Sequence, residues 1–138
     1  MNLEIWRLLF DFGMVVLIWL VQLVIYPGLC YYNSSDVAIW HQKYTPRVSY
    51  VVMPLMVGQL LLAIIQVTKN ADLYTVFSLC AVLILWLSTF IQFVPLHSKI
   101  SGKQDCTGIP QKLVKRNWFR TVLWTLVFLW SVYWVLMK

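Results

Sequence analysis

The stretch LYTVFSLCAVLILWLSTFIQFV, residues 73–94, decides the fold. It carries no charged side chain, and about 20 residues of helix cover a hydrocarbon core of about 30 Å. Three more apolar runs lie outward from it: Leu8 to Leu29, interrupted by Asp11 and Gln22; Val48 to Val67, with Pro54 and Gly58 inside; and Trp118 to Met137. The first run is too long for a signal-peptide core, and no small-residue cleavage site comes after it. It reads as a retained helix that ends near Pro27-Gly28. The central run is expected to stop at Pro95.

Composition agrees with this pattern. Of the 138 residues, 61% are hydrophobic and 12% charged, with a mean hydropathy of +0.74. A soluble unit of this size has too much surface for its volume to hide that much apolar area. Eight Trp, seven Tyr and seven Phe suit a chain that meets head groups at both membrane faces. The expected architecture is all-α: a single domain over residues 1–138, folded as a four-transmembrane-helix antiparallel bundle with a short interfacial helix between helices one and two.

A net charge of +6 would suggest nucleic acid in a soluble protein. Here the basic residues sit between apolar runs, so they read as topological signals and nucleic acid is not an expected partner. The side of the first and third connections holds Lys43, Arg47, Lys99, Lys103, Lys112, Lys115, Arg116 and Arg120. The side of both termini and the short 68–72 hairpin holds Arg7, Lys69 and Lys138. The positive-inside rule therefore places both termini outside and the two longer connections in the cytoplasm, with the bacterial inner membrane as the expected location. In residues 30–47, Ser34 or Ser35 can cap a short helix in which Trp40 and Tyr44 share a face, and Pro46 ends it or opens the next. Residues 97–117 read as the longest polar loop, with a turn at Gly108-Ile109-Pro110.

Polar side chains inside apolar helices are costly and tend to face the bundle interior. Asp11 and Gln22 are three turns apart, and Tyr26 continues their stripe. Gln59 and Gln66 share a face, as do Ser88 and Gln92. On helix four Asn117, Thr121, Trp124, Phe128 and Ser131 line up, with Arg120 beside them. Interhelical hydrogen bonding accounts for most such groups, and Asp11 has Arg7 one turn earlier as a local partner. Arg120 stands apart, because Lys115 and Arg116 already supply the topological charge just before the helix. A guanidinium inside it needs a partner such as a substrate oxyanion.

The two histidines, His41 and His97, belong to the two longer connections and so share one side. They can act as a proton-transfer couple, as metal ligands or as axial haem ligands. No third ligand completes a tetrahedral site, so no cofactor is favoured, while haem or a metal ion stays open. Met53 and Met56 are soft ligands that pack more often than they bind copper. Cys30, Cys80 and Cys106 make no CxxC pair. Their odd number argues against a disulfide framework, and Cys80 reads as a small packing residue.

The stretch Phe93-Val94-Pro95-Leu96-His97-Ser98-Lys99-Ile100, followed by Asn117-Trp118-Phe119-Arg120-Thr121, resembles the anthrone-oxygenase-like family of small four-helix membrane proteins. Helix one ending in Tyr26-Pro27-Gly28 is also similar to that family. The hydropathy resemblance spans nearly the whole chain, while the specific motifs cover some fifteen residues. The oxygenase branch usually has asparagine where this chain has His97, so the chain looks like a member of a bacterial side branch. The resemblance implies a site at His97, Asn117 and Arg120, and cofactor-independent attack of oxygen on an aromatic molecule.

These readings converge on one expectation. A hydrophobic, phenolic or quinone-like molecule enters from membrane lipid and is bound, and oxidised, near the cytoplasmic end of the bundle. His97 or His41 serves as general base, with Arg120 and Asn117 as oxyanion donors. Tyr26, Gln92, Tyr44 and Arg47 position the ligand, and Trp124 and Phe128 supply an aromatic wall. Non-catalytic binding of haem, lipid or pigment, and transport by a small dimer, are the other readings, and a homo-oligomer is open in any of them.

Overall fold

The computed structural model describes residues 3–102 and 106–137. Two residues counted for orientation, Lys103 and Lys138, lie outside them. The chain is an all-α bundle. Helix α1 (Leu3–Leu20) runs through a π turn (Val21–Ile25) into α2 (Tyr26–Leu29), and α3 spans Ser34–Lys69. Helix α4 (Leu73–Ser88) continues through a second π turn (Thr89–Phe93) into α5 (Val94–Ser101), and α6 covers Ile109–Leu136. Among the described residues four segments are long and apolar enough to cross a membrane: Leu3–Leu29, Ser34–Lys69, Leu73–Ser101 and Ile109–Leu136. Residues 30–33, 102 and 106–108 lie at one end of the bundle, here called the loop end. Leu3, Met137 and residues 70–72 lie at the other.

Helices extend further than the sequence suggests, for local reasons. Pro27 and Pro95 are expected to end their helices, yet each helix passes through its proline. A proline lacks the N–H for an i−4 bond and its ring crowds that carbonyl. In both places the chain widens just before the proline: the Tyr26 N–H donates to the Val21 carbonyl and the Val94 N–H to the Thr89 carbonyl, each five residues back. The expected interfacial helix is the first part of α3 rather than a separate element. Its Pro46 is exposed, so the disturbed backbone faces away from the packed interior. The 36 residues of α3 reach about 54 Å, well beyond a hydrocarbon core. Residues 97–117, expected as a loop, are mostly helical, since α5 runs to Ser101 and α6 starts at Ile109. Gly108 makes that start possible with φ of +75°.

The α3–α4 hairpin is as tight as its sequence indicates. Asp72 caps α4: the Thr75 N–H donates to its carboxylate at 2.8 Å, and the Asp72 N–H donates to Thr75 Oγ1 at 3.0 Å. Gly58 permits the close approach of α3 to α1. A Cβ there would lie 2.1 Å from the Phe10 ring.

Large apolar side chains such as Leu23, Phe77, Leu87, Ile91 and Leu129 cover the outside, as lipid contact requires. Polar groups gather inside. Arg7 and Asp11, both fully buried, pair at 2.9 Å one turn apart on α1. Arg7 also donates to Gln66 at 3.3 Å and Ser78 at 2.7 Å, while Asp11 accepts from Gln59 at 2.6 Å and from Ser131. Tyr74 meets Ser131 at 3.0 Å, and the Trp124 indole donates to Gln59 at 3.1 Å. One ion pair thus fastens α1, α3, α4 and α6 together. Cys80, expected to pack inside, faces outward because Ser78 and Val82 take the inner face of α4.

Removing Asp11 alone strands the Arg7 guanidinium. Asp11→Ala is expected to cost about 3–5 kcal/mol, the usual penalty for breaking a buried pair. The double variant Arg7→Met with Asp11→Leu should recover most of that loss. Thermal unfolding in detergent, with Asp11→Ala melting no lower than the double variant, would contradict this account.

Candidate functional site

A second interior region lies nearer the loop end. There the four helices part around a cavity of about 380 Å³. Met14, Ile18 and Val21 line it from α1 and the first π turn, Val52, Met53 and Met56 from α3, Trp86, Phe90 and Phe93 from α4 and the second π turn, and Arg120 and Trp124 from α6. Met53, Phe90 and Val94 line the cavity and are also about half exposed. The cavity therefore opens sideways between α3 and the α4–α5 helix, onto the apolar flank of the bundle. Its size and apolar walls suit a small hydrophobic molecule.

Each π turn inserts one residue into a helix and rotates the residues beyond it by about 100°. The two turns sit directly before Tyr26 and Val94, and both feed the polar end of the cavity. There Tyr26 is buried, its hydroxyl 3.1 Å from His97 Nε2. His97 Nδ1 lies 2.6 Å from His41 Nε2, and His41 Nδ1 lies 2.9 Å from Ser101 Oγ. The imidazoles stack with centroids 4.9 Å apart, and Tyr44 stands edge-on to His41 at 5.5 Å.

This chain has two hydrogen-bonding directions. If the Tyr26 hydroxyl donates to His97 Nε2, then His97 Nδ1–H donates to His41 Nε2 and His41 Nδ1–H donates to Ser101. Reversing every bond is equally consistent. Switching between the two moves one proton between the cavity and Ser101 while leaving both imidazoles neutral at the end. Thr45 Oγ1, at 3.2 and 3.3 Å from the two His41 nitrogens, steadies that ring. Metal ligation by the pair does not fit this arrangement. One metal at about 2.0–2.1 Å from each nitrogen would hold the nitrogens well over 3 Å apart, and these face each other as hydrogen-bond partners. Among the described residues no cluster of three His, Cys, Asp or Glu side chains forms.

Arg120 supplies the charge. Only 6% exposed, it lines the cavity with its guanidinium 4.2 Å from the Phe93 ring and 5.0 Å from the Trp124 ring. Its Nη1 donates to Asn117 Oδ1 at a long 3.4 Å, and its Nε has no acceptor among the described residues. Among the described residues no carboxylate pairs with it. The contrast with Arg7 is direct: that guanidinium has Asp11 and two further acceptors. Aromatic faces offset some of the burial of Arg120, but a desolvated cation with an idle N–H is set up to receive an anion.

The other expected site residues fall into three positions. Tyr44 lines the cavity with Tyr26, His97, Arg120 and Trp124. His41 and Asn117 stand behind that wall. Asn117 donates to Gln22 at 3.0 Å and holds Arg120 from the rear, so it positions the guanidinium rather than meeting a ligand. Arg47, Gln92 and Phe128 do not join the cavity. Arg47 is exposed, six residues past His41 and so rotated about 120° from it. Gln92 is displaced from the inner face by Phe93, and Phe128 packs on Phe12 at 5.7 Å, one turn past Trp124. Sequence reasoning overlooked Ser101, Thr45 and Trp86. Trp86 lies three turns before His97, a spacing that could have drawn attention to it.

Comparison with protein-family models, curated proteins and solved structures yields no match. The site must be read from its own geometry. His41→Phe keeps the ring packing but removes the link between Ser101 and His97. A stability loss of about 0.5–1.5 kcal/mol is expected for the lost hydrogen bond, with a changed tautomer ratio at His97 in imidazole ¹⁵N spectra. An unchanged ratio would show that the two rings are not coupled.

Proposed function

We propose that this protein binds a hydrophobic, phenolic or quinone-like molecule from the bilayer and oxidises it by general-base and oxyanion catalysis. The observation that carries the reading is Arg120: a buried guanidinium that pairs with no carboxylate among the described residues, facing an apolar, side-opening cavity beside a hydrogen-bonded Tyr26–His97–His41 chain. A phenolate or enolate oxygen is the partner this cation lacks. Its negative charge develops as the proton leaves, so the fixed guanidinium favours the deprotonated form. The leaving proton passes to the Tyr26 oxygen as the Tyr26 proton moves to His97, the His97 Nδ1 proton to His41 and the His41 Nδ1 proton to Ser101, whose own hydroxyl proton is released to water at the loop end.

With dioxygen as oxidant, an activated methylene gives up its proton along this chain. The carbanion, held as an enolate on Arg120, transfers its electron pair to dioxygen and forms a C–O bond. The peroxide oxygen takes back a proton, and loss of water from the hydroperoxide leaves a carbonyl. The balance is CH₂ + O₂ → C=O + H₂O, without a redox cofactor. The resemblance of the Pro95–His97 and Asn117–Arg120 segments to the anthrone-oxygenase-like family supports this chemistry over simple ligand storage.

We further propose that the loop end is cytoplasmic and that the membrane is the bacterial inner membrane. Lys43, Arg47, Lys99, Lys112, Lys115 and Arg116 are exposed at or near that end, while Arg7 is neutralised inside the bundle by Asp11. A periplasmic reporter fused after Lys138 should be active and a cytoplasmic one silent. The opposite pattern would reverse the orientation.

Arg120→Lys tests the chemistry. Lysine keeps the charge but loses the planar fork and the unpaired Nε–H. The variant should insert and express like the parent, while turnover of anthrone, followed by oxygen uptake, falls by at least about a hundredfold, in the range for losing one oxyanion donor. Parental turnover in Arg120→Lys would remove the oxyanion role. No turnover by the parent itself, with anthrone still bound, would reduce the reading to binding alone.

A further inference from the structure

Among the described residues three buried side-chain polar atoms have no hydrogen-bond partner: Arg120 Nε, Trp86 Nε1 and Ser88 Oγ. Two of the three belong to residues that line the same cavity. Buried donors are nearly always paired, and an idle one costs about 1–3 kcal/mol. Two idle N–H groups at one cavity therefore call for an explanation of their own. The fully buried indole of the site behaves differently, since Trp124 Nε1 donates to Gln59 at 3.1 Å, whereas Trp86 is only partly buried and its Nε1 is unpaired.

The two donors differ in kind and in level. Arg120 is a cation and suits an oxyanion or a polarised carbonyl. The indole N–H of Trp86 is neutral, donates only, and suits an uncharged oxygen such as a carbonyl, hydroxyl or ether. Trp86 lies seven residues before Phe93, whose ring carries the Arg120 guanidinium at 4.2 Å. At about 1.5 Å per residue that is roughly 10 Å along the helix. Phe90 packs on Trp86 at 5.6 Å and lines the wall between the two levels.

We propose that Trp86 forms a second polar subsite, so that the cavity selects elongated aromatic molecules with oxygen at two separated points. One oxygen is held by Arg120 and exchanges its proton with Tyr26. The other, uncharged, accepts from the Trp86 N–H at the far end. This rests on the proposed binding of a phenolic or quinone-like molecule and narrows it: a compound with one oxygen satisfies Arg120 and leaves the indole idle.

The test uses the full-length protein in nanodiscs and two nearly isosteric probes, 6-methoxy-2-naphthol and 6-ethyl-2-naphthol. Both carry the hydroxyl for Arg120, and only the first has an oxygen at the opposite end. Binding is measured by equilibrium dialysis, with uptake by empty nanodiscs subtracted. The methoxy probe should bind the parent about fivefold more tightly, the value of one net hydrogen bond. Trp86→Phe should bring the two to equal affinity; the ratio is the readout, because the smaller ring changes the apolar contact with both probes alike, and a cooperative thermal unfolding transition reports an intact fold. Arg120→Gln should weaken both probes about tenfold and keep their ratio. Equal binding of the probes by the parent overturns the subsite without needing any variant. A ratio that survives in Trp86→Phe overturns it as well. In either case the loss of both probes in Arg120→Gln leaves the oxyanion site standing. Parental binding of both by Arg120→Gln, or no binding of either probe by the parent, defeats the oxyanion site and the subsite together.

Discussion

The Arg7–Asp11 ion pair is the constraint around which the rest of the bundle is arranged. A charge inside a membrane helix is tolerated only when its partners are close and complete. Here the partners come from every membrane-crossing segment: Gln59 and Gln66 from α3, Ser78 from α4 and Ser131 from α6. Dispersion alone discriminates poorly between one apolar helix face and another, because lipid tails are as apolar as leucine. A set of hydrogen bonds that must all be satisfied at once does discriminate, so it sets which faces turn inward and at what height.

That network also reaches the cavity. Gln59 accepts from the Trp124 indole while donating to Asp11, so the Trp124 ring, one of the two aromatic faces against Arg120, is oriented by the ion pair. On the far side Gln22 accepts from Asn117, and Asn117 accepts from Arg120. The bundle holds two buried arginines in opposite electrostatic states. Arg7 is neutralised and belongs to stability, whereas Arg120 is positioned from behind and left open in front. The same residue type serves as a clamp in one place and as a receptor in the other, because among the described residues only Arg7 has a carboxylate within reach.

Much of the site is legible in the sequence. Tyr26, His97, Arg120 and Trp124 are polar or aromatic residues at recognisable places in otherwise apolar helices, and all four line the cavity. Helix counting fails where the helix is not ideal. Gln92 lies inside a π turn, and that extra residue gives the inner face to Phe93 instead. Arg47 could fold over the site only if residues 34–47 formed a separate helix. As part of the continuous α3, its direction is tied to that of Tyr44 and Val48. Trp86 escapes sequence reasoning because tryptophan in a membrane helix is ordinarily lipid-facing or packed, and an idle indole N–H can be recognised only once its surroundings are known.

That the chain crosses a membrane as four helices is written in its amino-acid order alone. Length, hydropathy and the absence of charge in a run such as Leu73–Val94 depend on no neighbour, since a backbone in hydrocarbon must satisfy its own hydrogen bonds. The Asp72 cap and the Arg7–Asp11 pair are likewise local, readable from spacings of three and four residues. Packing alone brings His41 and His97, 56 positions apart, into one hydrogen bond, and leaves Arg120 facing an open cavity while Arg7 does not. The reason is physical. Local spacing sets which side chains share a face of one helix, but whether a buried donor finds an acceptor depends on the rotation and height of the helix opposite. Those are set by all four segments packing together.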